Sequence, residues 1–206
     1  MSLLEAIFPG LSDSRDSFVP IWKDAGAPWS ILEDGPGGIK GQIESFLEVG
    51  SEIFIHPSAI IGDSVTIEGP SYIGPDVEIR HGAYLRKGSW ICDGSVVGHC
   101  SEIKNSVLLP GSKAPHFNYV GDSIVGMGAN LGSGVKLSNV RNDKRGVLVE
   151  LEDGSRIDSG LSKMGSLVGD GCQLGCNAVT NPGSIMPPNS FVVPNSTVSG
   201  WFHTKS

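Results

Sequence analysis

The sequence predicts an all-β solenoid, because a six-residue repeat, many turn residues and few charged residues occur together. Aliphatic residues recur at every sixth position from Ile55 to Ile103. The 206-residue chain contains 29 Gly and 13 Pro, and only 18% of its residues are charged, which is typical of turn-rich β structure. A period of six fits neither an α-helix nor a lone strand. Each hexad is therefore interpreted as a short strand followed by a bend, and successive coils must stack to bury the aliphatic side chains.

The repeat occurs in two blocks. The aliphatic positions of the first block are Ile55, Ile61, Ile67, Ile73, Ile79, Leu85, Ile91, Val97 and Ile103. Small side chains take the fifth position of these hexads, at Ala59, Val65, Ser71, Val77, Ala83, Ser89, Ser95, Ser101 and Val107. The second block has Val168, Leu174, Thr180, Met186, Val192 and Val198. The steps from Ile103 to Leu108 and from Val120 to Val125 are one residue short. A β-sandwich is disfavoured, because its strands alternate with a period of two.

The repeat divides the chain into four parts. Residues 1–50 lack it and are interpreted as an N-terminal cap with a short helix over residues 39–48, which we expect to cover the first coil. Residues 51–200 form the solenoid, and residues 201–206 form a C-terminal tail. An insertion loop spans residues 138–167, where apolar residues on both sides of Asp153-Gly154 predict a β-hairpin.

Composition excludes several classes of protein. The net charge of −7 argues against a nucleic-acid-binding protein. No apolar run approaches the roughly 18 residues of a membrane span, and the first ten residues have no basic region typical of a signal peptide. The four cysteines form no C-x-x-C pair, so we expect a reduced, cytoplasmic protein.

Stacking brings distant charges together. If three hexads complete one coil, residues 18 apart lie about 4.8 Å above one another. Arg86 and Lys104 are such a pair. Neighbouring cations repel one another unless an anion bridges them, and a guanidinium beside an ammonium suits a phosphate. The alternative is two solvated surface charges, helped by Glu68 one coil away.

A second predicted column begins with three histidines. His81, His99 and His116 follow at steps of 18 and 17. The column continues with Ser133, Cys176 and Pro194 if the insertion re-enters in phase. Stacked imidazoles indicate either a metal site or a base beside a polar groove. Zinc needs converging ligands at about 2 Å, which a ladder with a repeat of about 4.8 Å fits poorly, so we expect no metal. His81 and His99 are interpreted as corner-filling residues, whereas His116 lies where the hexad rule is distorted.

Three runs give the chain a specific resemblance. Residues 102–107, 111–122 and 126–134 closely resemble the acetyltransferase half of bifunctional N-acetylglucosamine-1-phosphate uridyltransferase / glucosamine-1-phosphate acetyltransferase. Residues 159–165 look most like the archaeal-type members. The resemblance implies a left-handed parallel β-helix and a homotrimer with active sites at subunit interfaces. It also implies acetyl transfer from acetyl-CoA to the amine of a hexosamine 1-phosphate, without a metal.

The family's functional residues fall on matching positions of this sequence. His116 matches the general base, which an imidazole can be near neutral pH, and Asn130 matches a second residue of the catalytic centre. The implied substrate-binding residues are Arg86, Lys104, Tyr119, Asn139 and Lys163. The implied cofactor-binding residues are Ser133, Cys176 and Pro194. Three positions depart from many members of the family, with Val140 in place of tyrosine, Cys176 of serine and Pro194 of alanine.

Other functions stay open from the sequence. The acceptor could be a nucleotide-linked amino sugar, or the acyl chain could be longer. A zinc protein similar to γ-carbonic anhydrases would need a ligand five residues after His116, where Gly121 stands. A non-catalytic sugar-phosphate-binding trimer is disfavoured, because such a module has no physical need for the full set of matching residues. The resemblance covers only the acetyltransferase half of the bifunctional family, and residues 1–50 carry no glycine-rich nucleotide-binding signature, so we expect no uridyltransferase activity.

Overall fold

The computed structural model describes residues 1–12 and 18–203. Three parallel sheets of seven strands each form the walls of a triangular solenoid. Sheet A contains Ile53–Ile55, Ser71–Ile73, Ser89–Ile91, Ser106–Leu108, Ile124–Val125, Ser166–Val168 and Ser184–Met186. Sheet B contains Ile60–Ile61, Glu78–Ile79, Val96–His99, Lys113–His116, Asn130–Leu131, Gln173–Leu174 and Phe191–Val192. Sheet C contains Thr66–Ile67, Tyr84–Leu85, Glu102–Lys104, Tyr119–Gly121, Lys136–Leu137, Val179–Thr180 and Thr197–Val198.

The register follows the sequence repeat. Leu85 pairs with Ile103 at a step of 18, and the short hexads reduce the step to 17 between Leu108 and Val125. Val125 pairs with Val168 across the insertion, so the solenoid resumes in phase. The repeated aliphatic side chains fill the interior from Ile73 onward, and each gains about 1.5–3 kcal/mol on burial. The predicted all-β solenoid, a left-handed parallel β-helix of hexapeptide repeats, is confirmed.

The N-terminal segment packs along the outer face of sheet A. It contains helix α1 (Leu3–Ile7), 3₁₀ turns at Pro9–Ser12 and Pro28–Leu32, and helix α2 (Ile39–Phe46), so the predicted helix is confirmed. Its apolar residues share a second buried cluster with an outward column of sheet A formed by Tyr72, Trp90, Val107, Ile124, Leu167 and Ile185.

The expectation that this segment covers the first coil was wrong. The inward residues Ile55 and Ile61 of that coil remain 43% and 38% exposed. The outward aromatic residues of sheet A offer a long apolar surface, and burying aromatic side chains contributes more than covering one short coil. At the other end, Phe202 packs against the solenoid core and its amide donates to the Ile185 carbonyl at 2.8 Å.

The insertion forms the predicted hairpin. Its strands, Leu148–Glu150 and Arg156–Asp158, pair antiparallel, and Gly154 adopts a φ of 80° in the turn. Val147 and Val149 are buried in the cluster outside sheet A. The hairpin is therefore anchored on the same face as the N-terminal segment. Within the described ranges, no helix has the length and apolar character needed to cross a membrane.

Candidate active site

Sheet C is bordered by two corners that hold most of the sequence-predicted residues. The B–C corner contains the bends from sheet B to sheet C, including His116. The C–A corner contains the bends from sheet C to sheet A, including Lys104 and Asn139. The strand Tyr119–Gly121 runs from one corner to the other. The chain from His116 to Gly121 covers five residue steps, and its extended length is at most about 17 Å.

Backbone hydrogen bonds connect the predicted column at the B–C corner. In each coil the amide after the column residue donates to the column residue of the coil before. Along the column these bonds run from Cys100 to the His81 carbonyl (3.3 Å), Phe117 to His99 (2.9 Å), Gly134 to His116 (2.9 Å), Asn177 to Ser133 (2.8 Å) and Asn195 to Cys176 (2.9 Å). Because Cys176 and Pro194 align with Ser133 across the insertion, the predicted stack from His81 to Pro194 exists in the structure.

The imidazoles of this column differ in their surroundings. The rings of His81 and His99 stack with centroids 5.5 Å apart. The next ring in contact with His99 is Phe117, at 5.1 Å, rather than His116. His116 is exposed, and its backbone amide donates to Asn118 Oδ1 at 2.9 Å. No hydrogen bond joins its imidazole to any residue that the structure describes, and those residues contain no group of three candidate metal ligands.

The two stacked cations of the C–A corner are both paired with carboxylates. Arg86 lies one coil below Lys104, as predicted. Arg86 Nη1 donates to Glu102 Oε1 at 2.9 Å, and Lys104 Nζ donates to Asp122 at 2.8 and 3.0 Å. The pKa of Arg86 is raised mainly by this hydrogen bond to Glu102. These carboxylates therefore offset the repulsion between Arg86 and Lys104. In the sequence analysis, a bridging anion was expected to do so.

Asp122 is the centre of this corner and was missed by the sequence analysis. Its carboxylate accepts hydrogen bonds from Lys104, from Asn105 Nδ2 at 3.0 Å and from Asn139 Nδ2. Only 4% of the residue is exposed, so the charge depends on these donors. The signal was available in the spacing, because Asp122 lies 18 residues after Lys104 and 17 before Asn139.

Tyr119 lies flat across the end of its own strand. A Cβ at Gly121 would lie 2.7 Å from the Tyr119 hydroxyl and 2.8 Å from its Cε1. The hydroxyl donates to Asn139 Oδ1 at 3.4 Å. Burial, followed by the charges of Glu102 and Asp122, raises the pKa of Tyr119. The phenol therefore stays protonated and can donate a hydrogen bond at neutral pH.

A cavity of about 420 Å³ opens at the C–A corner. Arg86, Lys104 and Lys163 line it, and residues 32–34 with Lys40 form the opposite wall. A second cavity of about 380 Å³ lies above it, lined by Ser138, Val140, Arg141, Asn142, Asp143, Asn181 and Pro182.

The predicted residues are thus only partly brought together within one chain. The five residues predicted to bind the substrate converge at the C–A corner, where Tyr119 and Asn139 adjoin the residues of the first cavity through the Asp122 network. Asn130 lies on sheet B between Lys113 and Gln173, and the residues predicted to bind the cofactor lie at the B–C corner.

Residues 67–200 match the sequence model of a family described as the GMPPB C-terminal domain. The chain belongs to this family. All of the predicted site residues fall within the matched range. The N-terminal wall of the first cavity lies outside it.

Two curated relatives match most of the chain. A bifunctional sugar-1-phosphate nucleotidylyltransferase/acetyltransferase of Sulfurisphaera tokodaii is 32% identical over 186 residues, covering 86% of this chain and 46% of the relative. The bifunctional protein GlmU of Methanocaldococcus jannaschii is 33% identical over 178 residues, covering 83% and 43%. The resemblance found in the sequence is confirmed. The chain spans less than half the length of these relatives.

The chain also resembles a solved structure. A point mutant of GDP-perosamine N-acetyl transferase from Caulobacter crescentus, in complex with CoA and GDP-perosamine, has 16% sequence identity and a TM-score of 0.41. The match covers 74% of this chain and 55% of that one.

Proposed function

We propose that the protein is an N-acetyltransferase that moves acetyl from acetyl-CoA to the amine of a hexosamine 1-phosphate. The observation that carries this proposal is the arrangement around sheet C, with a preorganised corner of ion-paired cations at one edge and an exposed imidazole at the other. The names of the curated relatives support acetyl transfer and a sugar-1-phosphate substrate.

The C–A corner suits the acceptor. A phosphate monoester carries close to two negative charges at neutral pH, and Arg86, Lys104 and Lys163 line one cavity of suitable size. The guanidinium offers a planar pair of donors and the ammonium groups act as point charges. Tyr119 and Asn139, which adjoin the cavity, supply donors and acceptors for the sugar hydroxyls.

The B–C corner suits the chemical step. As the neutral amine attacks the thioester carbonyl, the new C–N bond forms and the C–S bond breaks. His116 accepts the proton that the amine loses, and the CoA thiolate leaves. Asn130 binds the acetyl group. Ser133, Cys176 and Pro194 follow His116 over three coils, about 14 Å, a length that a pantetheine arm can follow.

The two corners and Asn130 of one chain do not form a closed site. We therefore propose that the protein acts as a homotrimer, in which a neighbouring subunit completes the groove, in the cytoplasm and without a metal. Sedimentation of the purified protein would measure the assembly. A monomer with full activity would contradict the shared site.

The activity is tested by thiol release from acetyl-CoA in the presence of glucosamine 1-phosphate. We expect release that requires the sugar and falls by at least about 100-fold in His116→Ala, the usual contribution of a general base. The matched control is His81→Ala, which removes an exposed imidazole of the same column two coils away and should keep the activity.

Three outcomes would change the proposal. Equal loss in both variants would make the column structural. Release only with a nucleotide-linked amino sugar would reassign the acceptor. Absence of release with every amino-sugar phosphate would favour a non-catalytic binding module.

A further inference from the structure

The N-terminal segment supplies one wall of the acceptor cavity. Residues 32–34 and Lys40 face Arg86 and Lys104 across it. These wall residues precede residue 67, where the family match begins. They were absent from the sequence-predicted site, because nothing in the hexad pattern relates residues 1–50 to a particular corner of the solenoid.

Two contacts fix this wall in place. Asn105 Nδ2, which also donates to Asp122, donates to the Leu32 carbonyl at 3.0 Å. Lys40 lies in the first turn of α2, and its stem crosses Gly88 so closely that a Cβ there would lie 3.2 Å from Lys40 Cγ. Gly88 also has a φ of 79°, which favours glycine. The packed methylene groups of Lys40 therefore restrict its ammonium group to a position beside the cavity.

The carboxylate partner of Lys40 is more exposed than the partners of Arg86 and Lys104. Lys40 Nζ pairs with Asp34, whose side chain is 88% exposed, whereas that of Lys40 is 32% exposed. The side chains of Glu102 and Asp122, the partners of Arg86 and Lys104, are 34% and 6% exposed. An exposed carboxylate pairs only weakly with a cation, because water screens the ion pair and the side chain loses entropy on pairing. An incoming anion can therefore replace Asp34 more readily than Asp122.

The charge of the wall is coupled to the corner. The pKa of Asp34 is lowered, first by the hydrogen bond from Lys40 and then by the charges of Lys40 and, to a smaller extent, Lys104. Asp34 therefore interacts electrostatically with Lys104, the cation that we assign to phosphate binding. A phosphate bound near Lys104 would repel Asp34 and attract Lys40.

We propose that Lys40 is a phosphate ligand of the acceptor, and that its ammonium exchanges Asp34 for the phosphate monoester held by Arg86 and Lys104. This inference rests on the proposed function and adds a ligand from outside the matched family range. Asp34 then acts as an internal competitor that weakens acceptor binding. The N-terminal segment thereby contributes to acceptor affinity in addition to covering sheet A.

Calorimetric binding of glucosamine 1-phosphate, inorganic phosphate and glucosamine tests the proposal without acetyl transfer. Lys40→Met keeps the packed stem and removes the charge. We expect it to weaken binding of both phosphate probes by about tenfold, the typical loss of one charge-assisted contact, with unchanged glucosamine binding. Asp34→Asn should tighten phosphate binding by about threefold, and this gain should vanish in the Lys40→Met background.

Lys23→Met is the matched control, because Lys23 belongs to the same segment but not to this cavity. An equal effect of Lys23→Met would mean that Lys40 acts only through its general positive charge and not as a ligand. That result would overturn the inference. So would unchanged phosphate affinity in Lys40→Met, or a gain from Asp34→Asn that persists without Lys40. If wild-type protein binds neither phosphate probe, the proposed function fails together with the inference. Wild-type binding with an unaffected Lys40→Met overturns the inference alone.

Discussion

The two corners that border sheet C are held together differently. At the B–C corner the coils are joined through backbone hydrogen bonds and through the buried Asn118 side chain, while exposed side chains such as those of His116 and Cys176 lie at the surface. At the C–A corner, side chains from the two adjoining coils converge on the buried carboxylate of Asp122. The difference shows that backbone bonds and neutral side chains suffice to place an exposed reactive group on a β-helix, whereas a cluster of charges needs a buried counter-charge to fix it.

This contrast has consequences for stability. Replacing a surface side chain at the B–C corner leaves the backbone ladder intact, so the fold should tolerate it. Replacing a member of the Asp122 network leaves other polar groups without partners in a poorly solvated place, which is costly. Function and stability should therefore be separable at His116 and coupled at Asp122.

The largest expected effect is that of Asp122→Ala. The substitution leaves Lys104 and the two amide donors of Asn105 and Asn139 without their acceptor. We expect a loss of about 3 kcal/mol in the free energy of unfolding, measured by chemical denaturation at constant protein concentration. Asp143→Ala is the control, because Asp143 also pairs with cations but is exposed. Similar losses in both variants would show that the C–A corner is no more interdependent than the surface.

A smaller effect is expected from Gly121→Ala. The added methyl group would overlap Tyr119 and Asn139, with its Cβ 2.7–2.8 Å from their atoms. Because overpacking costs about 1–3 kcal/mol, we expect a loss of about 2 kcal/mol together with weaker acceptor binding, measured by denaturation and calorimetry. In Gly146→Ala the new Cβ would have no neighbour closer than 3.8 Å, so this variant should behave like wild type. Unchanged acceptor binding in Gly121→Ala would remove Tyr119 from the site.

The backbone of the solenoid was predictable because its period is written in the sequence. The aliphatic residue of every hexad occupies the interior, so the stacking of Arg86 on Lys104 and the alignment of His116 with Ser133 follow from counting. Re-entry after the insertion was also predictable, because Val168 resumes the same pattern. Family resemblance then assigned roles to the aligned positions, and those roles stay predictions.

The docking position of the N-terminal segment and the Asp122 network were not predicted, for two physical reasons. The segment docks on outward residues such as Tyr72 and Trp90, and burial of that column depends on a tertiary partner rather than on the hexad period. Their apolar character was a usable signal, since the equivalent outward positions of sheet B include Glu78, Lys113 and Asn130. Ion pairs such as Lys104–Asp122 depend on side-chain direction in the bends, which spacing alone does not determine.

The smallest effects are expected from glycine substitutions at two residues, one in each corner, that share a left-handed backbone conformation. Cys100 at the B–C corner has a φ of 49° and Asn105 at the C–A corner a φ of 45°. Glycine adopts this left-handed conformation without steric cost, so Cys100→Gly should raise the free energy of unfolding by about 0.5 kcal/mol, measured by denaturation. Asn105→Gly gains less relief, because asparagine tolerates this conformation, and it loses the hydrogen bonds to Leu32 and Asp122. It should therefore lower the free energy of unfolding by about 1 kcal/mol. Changes of the same sign would mean that backbone strain, rather than the side-chain network, distinguishes the two corners.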